Sequence, residues 1–310
     1  MQQSEKNGNN CPPQMRAGRI FIRIMNSVTD TLLLIVFLGL LAFGCYAVWD
    51  SRQVQQQAKS NVYEIYKPEQ KDSRSFSDFR TQNPEVFGWL EIYGTNIDYP
   101  LVQGENNEKY LNTSADGKYS LSGSIYLDYR NKNDLSDFNS IIYGHHMEGQ
   151  VMFGEIGKFK EENYFKNHRY ASLYCNEKYY GLEFFAFLEI DAYDQLIYHP
   201  AVKEDNEKEE YLRHIKDVAL YYRELGVGKE DKIVLLSTCT TDMTNGRHIL
   251  VGRLSEQVWE NPFQEEEHSG KNVSGFVAGL SLGQKIFWGS AAFAVIVLVS
   301  VILILYRRRK

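Results

Sequence analysis

A thiol at Cys239 stands among hydroxyls in the stretch LLSTCTTD, residues 235–242. Ser237 and Thr238 precede it, and Thr240 and Thr241 follow it. The apolar, β-type run Ile233-Val234-Leu235-Leu236 leads into it. A thiol attacks as the thiolate, and a free cysteine of pKa about 8.5 is only a few per cent ionised near neutrality. A nucleophilic cysteine therefore needs a base or a cation beside it. It also needs donors for the oxyanion that forms when it attacks a carbonyl. The bland alternative is a small residue buried at a strand end.

Six histidines are candidates for the base: His145, His146, His168, His199, His214 and His248; His268 lies in a polar, glycine-rich stretch near the C-terminus. His145 and His146 close the apolar run NSIIYG, and a residue at a strand mouth is well placed to meet another strand end. His168 and His199 sit in polar turns and read as surface. His214 reads as a solvated helix residue beside Arg213, and His248 could face either way. Arg247 and Arg253 follow Cys239 by eight and fourteen residues. If Cys239 ends one strand and Arg247 begins the next, an antiparallel pair sets those ends side by side. A guanidinium stays charged at any working pH and suits a thiolate or an oxyanion. An ordinary strand-end arginine fits the same spacing.

The elements that must position these groups are mostly strands. Runs rich in Ile, Tyr, Val and Leu, separated by Gly, Asn and Asp, occupy 88–103, 123–129, 139–146, 170–175, 179–191, 232–238 and 248–254. A short helix capped by Ser77 stops before Pro84. Residues 206–225, NEKEEYLRHIKDVALYYREL, carry apolar side chains at helical spacing, with Asn206 as cap and Gly226 after the end. This helix is inserted in a mainly β domain, and a shorter one is expected over Phe153–Lys166. The pattern predicts a closed or nearly closed β-barrel of about eight strands with N-terminal helices; a sandwich is the runner-up.

Two uncharged apolar runs flank this domain, Thr31–Trp49 and Ile286–Tyr306, of 19 and 21 residues. About 20 residues of helix cross a hydrocarbon core of about 30 Å, so both are expected as transmembrane helices. The first ends in YAVWD, without a small-x-small cleavage site, and reads as a retained anchor. Lys6, Arg16, Arg19 and Arg23 precede the first run, and Arg307–Lys310 follow the second. Basic flanks stay in the cytoplasm, so both termini are expected inside and residues 50–285 outside. Of 34 basic and 40 acidic residues the two tails hold 8 and 2, leaving 26 − 38 = −12 on the outer part. That balance argues against nucleic acid as a partner. The outer part holds two cysteines, Cys175 and Cys239, which is no disulfide framework. Cys175 reads as a core residue, with a bridge to Cys239 as the alternative.

Taken together, IVLLSTC ending a strand, GRHILVGRL after it, IIYGHHM upstream and GSIYLDYRN before that resemble the sortases. These are membrane-anchored cysteine transpeptidases of Gram-positive bacteria, and the details are similar to class B. The resemblance spans roughly residues 75–255. It implies Cys239 as nucleophile, His145 as general acid/base, Arg247 as oxyanion stabiliser, and Thr238 as a substrate-positioning residue. His146 stands where the family often has Asn, and Leu235 where the motif usually begins with Thr. No cofactor and no metal are implied. The implied reaction cleaves a C-terminal sorting signal of a secreted protein at a threonine carbonyl. The acyl group then passes through a Cys239 thioester to an amine of a cell-wall precursor or a pilin. A hydrolytic cysteine peptidase and an inactive membrane-tethered binding domain are the competing readings. The expected organisation is a basic tail (1–30), a membrane helix (31–49), a stalk (50–74), the catalytic domain (75–255), a flexible spacer (256–285), a second membrane helix (286–306) and a basic tail (307–310).

Overall fold

The run IVLL in front of Cys239 lacks the alternation of a strand with one wet face, because both of its faces are covered. Val234 and Leu236 point into one apolar cluster, Ile233 and Leu235 into another. The computed structural model describes residues 13–68, 74–239 and 245–263, with side chains for 18–68, 75–238 and 245–263. In chain order these form α1 (Pro13–Gln57), α2 (Arg74–Gln82), β1 (Val86–Ile92), β2 (Asp98–Val102), β3 (Ile125–Leu127), β4 (Asn139–Tyr143), β5 (His146–Met147) and β6 (Val151–Met152). There follow α3 (Glu162–Asn167), β7 (Tyr170–Cys175), β8 (Lys178–Asp191), α4 (Asp205–Val218), β9 (Ala219–Tyr222), β10 (Lys232–Cys239) and β11 (Gly246–Ser255).

The main sheet runs β11-β10-β4-β3-β2-β1-β7-β8-β9, and β11 pairs a second time, with β8. That pairing, from Gly246↔Asp191 to Ser255↔Gly181, closes eight strands into a barrel and overturns the sandwich alternative. β8 can serve two neighbours on one edge because it is 14 residues long. Its first part pairs with β7 and its middle with β9. Phe153, Phe159, Phe184, Phe187 and Leu250 fill the barrel. Phe185, Leu188, Ile249 and Val251 face outward, under Tyr211 and Ile215 of α4.

The helix expected over 206–225 is shorter and starts one residue earlier. Its N-cap position is Glu204 rather than Asn206, and it ends at Val218. The sequence then switches to strand β9 on the edge of β8. The aromatic tail of the segment drives the switch: Tyr221 stacks on Phe165 and Tyr222 meets Phe185 edge-on. The expected helix over Phe153–Lys166 is two pieces, a 3₁₀ stretch Gly154–Lys160 and α3, with extended backbone at Glu161 between them. Ser77 lies inside α2 rather than at its start; α2 does stop before Pro84.

One helix among the described residues is long and apolar enough to cross a membrane, spanning Gly18–Gln57. It continues unbroken through the first residues of the expected stalk. Beyond it, Ala58 and Tyr63 are buried, and Tyr99 O–H donates to the Ala58 carbonyl at 2.8 Å. The start of the expected spacer is packed too, with Trp259 stacked on Tyr170. The second apolar run, 286–306, and both basic tails except for 13–30 lie outside the described residues.

Candidate active site

β10 lies between β4 and β11, parallel to the first and antiparallel to the second. On the β4 side Ser237 pairs with Tyr143, and Gly144 N–H donates to the Ser237 carbonyl at 3.1 Å. The next residue of that chain is His145. On the β11 side the last pairs are Thr238↔His248 and Cys239↔Arg247. The end of β10 is thus flanked by His145 on one side and Arg247 on the other. The tight turn after β4 depends on Gly144, where a Cβ would come within 2.7 Å of the Phe153 ring and 2.6 Å of Ile125 Cδ1.

His145, Thr238 and Arg247 line one cleft of about 360 Å³, with Asn107, Tyr143 and Tyr198 among its other walls. His145 Nε2 lies 2.8 Å from the Leu111 carbonyl. A carbonyl only accepts, so Nε2 carries the hydrogen. In the neutral ring Nδ1 is then the nitrogen open to proton exchange. Arg247 is half-buried and spends one N–H on its neighbour's carbonyl, Nη1 to Gly246 O at 3.0 Å. The Thr238 hydroxyl is buried and has no hydrogen-bond partner among the described residues. A buried hydroxyl left in that state costs free energy unless something else meets it. Tyr198 O–H and Ser237 Oγ share a hydrogen bond of 2.9 Å across the cleft. Burial, followed by the nearby Asp128 charge, raises the Tyr143 phenol well above its usual range, so it remains an O–H donor.

The other candidates fall elsewhere. His168 stacks on Tyr164, and His214 donates from Nε2 to Asp194 Oδ2 at 2.8 Å. His248 is buried inside the barrel beside Phe187. His146 turns away from the cleft into the β5–β6 hairpin and is exposed. Arg253 is held by Glu183 and the Leu225 carbonyl. Cys175 is a free thiol whose Sγ donates to the Asn133 carbonyl, so the alternative of a bridge to Cys239 is removed. Among the described residues no group of three or more His, Cys, Asp or Glu could hold a metal ion.

Comparison with known proteins bears directly on this cleft. A family model described as the Sortase domain matches residues 90–255, which is most of the barrel. The chain belongs to the sortase family. Sortase B of Listeria monocytogenes is 34% identical over 179 residues, covering 57% of this chain and 72% of the relative. A crystal structure of sortase B from the type II pilus of Streptococcus pneumoniae is 45% identical with a TM-score of 0.52, covering 59% of this chain and 99% of that one. A class B sortase of Streptococcus pyogenes involved in pilus biogenesis is 42% identical with a TM-score of 0.54, covering 58% of this chain and 97% of that one. These likenesses make the chain a class B sortase and its activity a sortase-type transpeptidation.

For this sortase the motif reading reached the strand ends and missed much of the cleft wall. Asn107, Tyr143 and Tyr198 were not singled out, and Ser237 was named only as a hydroxyl beside the thiol. For two of them a signal existed: Ser237 precedes Cys239 by two residues, and Tyr143 precedes His145 by two, the period of a strand face. Asn107 and Tyr198 come from loops, where no period operates.

Proposed function

We propose that Cys239 is the nucleophile, His145 the general acid and base, Arg247 the oxyanion partner and Thr238 a substrate-positioning residue. The observation that carries this assignment is the register of β10, whose end is bracketed by His145 on the β4 side and paired with Arg247 on the β11 side. The Cys239 thiolate attacks a peptide carbonyl near the C-terminus of a secreted protein, and charge develops on its oxygen. Arg247 stabilises that charge. The C–N bond breaks as protonated His145 gives its proton to the departing amine, leaving a thioester. A second amine attacks the thioester, His145 takes its proton, and the thiolate leaves. An amide is exchanged for an amide, so no external energy source is required. The Thr238 hydroxyl, buried without a hydrogen-bond partner among the described residues, is suited to meet a polar group of the bound peptide.

The acceptor we infer is a pilin amine. Both crystal structures described above come from pilus systems, and their identity to this chain exceeds that of the Listeria enzyme. We further infer that α1 anchors the barrel on the outer face of the membrane, with a second crossing at 286–306 and both termini inside. Basic residues flank both runs on the side assigned to the cytoplasm.

The test is a sorting-signal peptide supplied with and without an amine such as triglycine. Cys239→Ala should form no thioester, and retained turnover would sink the assignment. His145→Ala and Arg247→Ala should each lower kcat/KM by about two to four orders of magnitude. If the amine changes neither rate nor product, the enzyme is a hydrolase.

A further inference from the structure

The carboxylate of Asp128, just after β3, is completely buried behind the cleft. Three segments converge on it. From the loop after β2, Asn107 Nδ2 donates to Oδ2 at 3.0 Å. From the end of β4, Tyr143 O–H donates to the same oxygen at 3.0 Å. Arg130 grips both oxygens, with Nε on Oδ1 and Nη2 on Oδ2, each at 2.8 Å, and its backbone N–H on Oδ1 at 3.0 Å. The same Nη2 reaches the Tyr198 carbonyl at 3.4 Å. Tyr198 in turn shares a hydrogen bond with Ser237 and stacks its ring on Tyr143.

Among the described residues, each side chain that hydrogen-bonds this carboxylate either lines the cleft or fastens a residue that does. His145 and Arg247 are outside the network. Burial by itself would raise the Asp128 pKa, but the hydrogen bonds from Arg130, with the one from Asn107, outweigh it and hold the carboxyl below its usual range. A charged acceptor makes each of these hydrogen bonds stronger than a neutral one. Arg130 also opens onto a second cleft of about 430 Å³, which shares Ala192 and Tyr198 with the first. The Asp128–Arg130 pair therefore stands where the two clefts meet.

We propose that Asp128 is a positioning residue for donor-peptide binding, holding Asn107, Tyr143 and Tyr198 in the arrangement that receives the peptide. Fixing these side chains beforehand removes their ordering from the binding step. The proposal rests on the transpeptidase reading of the cleft.

Steady-state kinetics of the full chain in detergent test it, using a fluorogenic sorting-signal peptide that the wild type turns over. Asp128→Asn should raise KM about 10-fold or more while kcat changes by less than about 3-fold. The rate at which iodoacetamide alkylates Cys239, and the pH profile of that rate, should match the wild type. Tyr143→Phe should raise KM by a smaller factor, and the double variant should be no worse than Asp128→Asn alone. An unchanged KM in Asp128→Asn overturns the proposal. So does an altered alkylation profile, which would place Asp128 among groups acting on the thiol. If Asp128→Asn does not fold, Tyr143→Phe and Asn107→Ala decide, and an unchanged KM in both overturns it. A wild type that forms no thioester brings down the transpeptidase reading itself, a failure distinct from all of these.

Discussion

Cys175 and Cys239 end similar β-runs, and the surroundings of Cys175 mark it as a core residue. Cys175 is buried, and burial followed by the Asp134 charge pushes its thiol up to about 11, with Arg80 opposing weakly. A thiol in that state is almost wholly protonated at neutral pH. In Cys239→Ala, iodoacetamide at pH 8 should leave Cys175 unmodified by mass spectrometry. Modification should begin only as the pH approaches 11 or on unfolding. Rapid alkylation of the folded variant at Cys175 would contradict this. The core reading of Cys175 was available from its run of β-forming neighbours. The role of Asp128 was not, because its partners Asn107 and Tyr143 are brought to it by pairings between β2, β3 and β4 that no local pattern encodes. Residue type shows what a side chain could do, while closure of the sheet decides what it meets.

At the scale of elements, the proposed active site depends on how one strand stops. β4 ends at Tyr143, and Gly144 lets the chain pass between Ile125 and Phe153 before delivering His145. Gly144→Ala must displace an aromatic ring in the barrel. Such overpacking costs about 1–3 kcal/mol. A fall in Tm of roughly 2–4 °C per kcal/mol is expected for a domain of this size. Activity should fall further than stability explains, since His145 follows directly. A calorimetric scan beside kcat/KM separates the two, and an unshifted Tm would mean that the ring yields at no cost. Element types were largely readable: the β7 run matches its strand end to end, and β8, β10 and β11 extend theirs by one to three residues. The misreading at 219–222 has a plain cause. Ala219, Tyr222 and Leu225 continue the helical spacing of α4, but the edge of β8 offers hydrogen bonds and aromatic contacts that a further helical turn would forgo.

At the scale of the molecule, the barrel was legible only as one of two alternatives. A period of two marks strands without saying whether the last pairs with another, and the β8–β11 ladder supplies that fact. The join between helix and barrel was not legible either. Residues 50–57 are polar and read as a stalk or a short helix, and they are the last turns of α1. Gln55 lies near Gly149 of the β5–β6 hairpin, and Ala58 is tied to Tyr99.

An α-helix fastened to a barrel transmits angle as well as distance. Each residue added between Trp49 and Gln57 would lift the barrel by about 1.5 Å and swing it by about 100°. Three or four added residues nearly restore the bearing, whereas two reverse it. Alanine insertions after Arg52 should therefore make turnover of a membrane-retained donor protein dip and recover with the helical period. Turnover of a free peptide should stay level across the series. A smooth decline with length would mean that only height matters. A periodic recovery would make the anchor a compass setting, fixing the direction from which donor chains can enter the cleft.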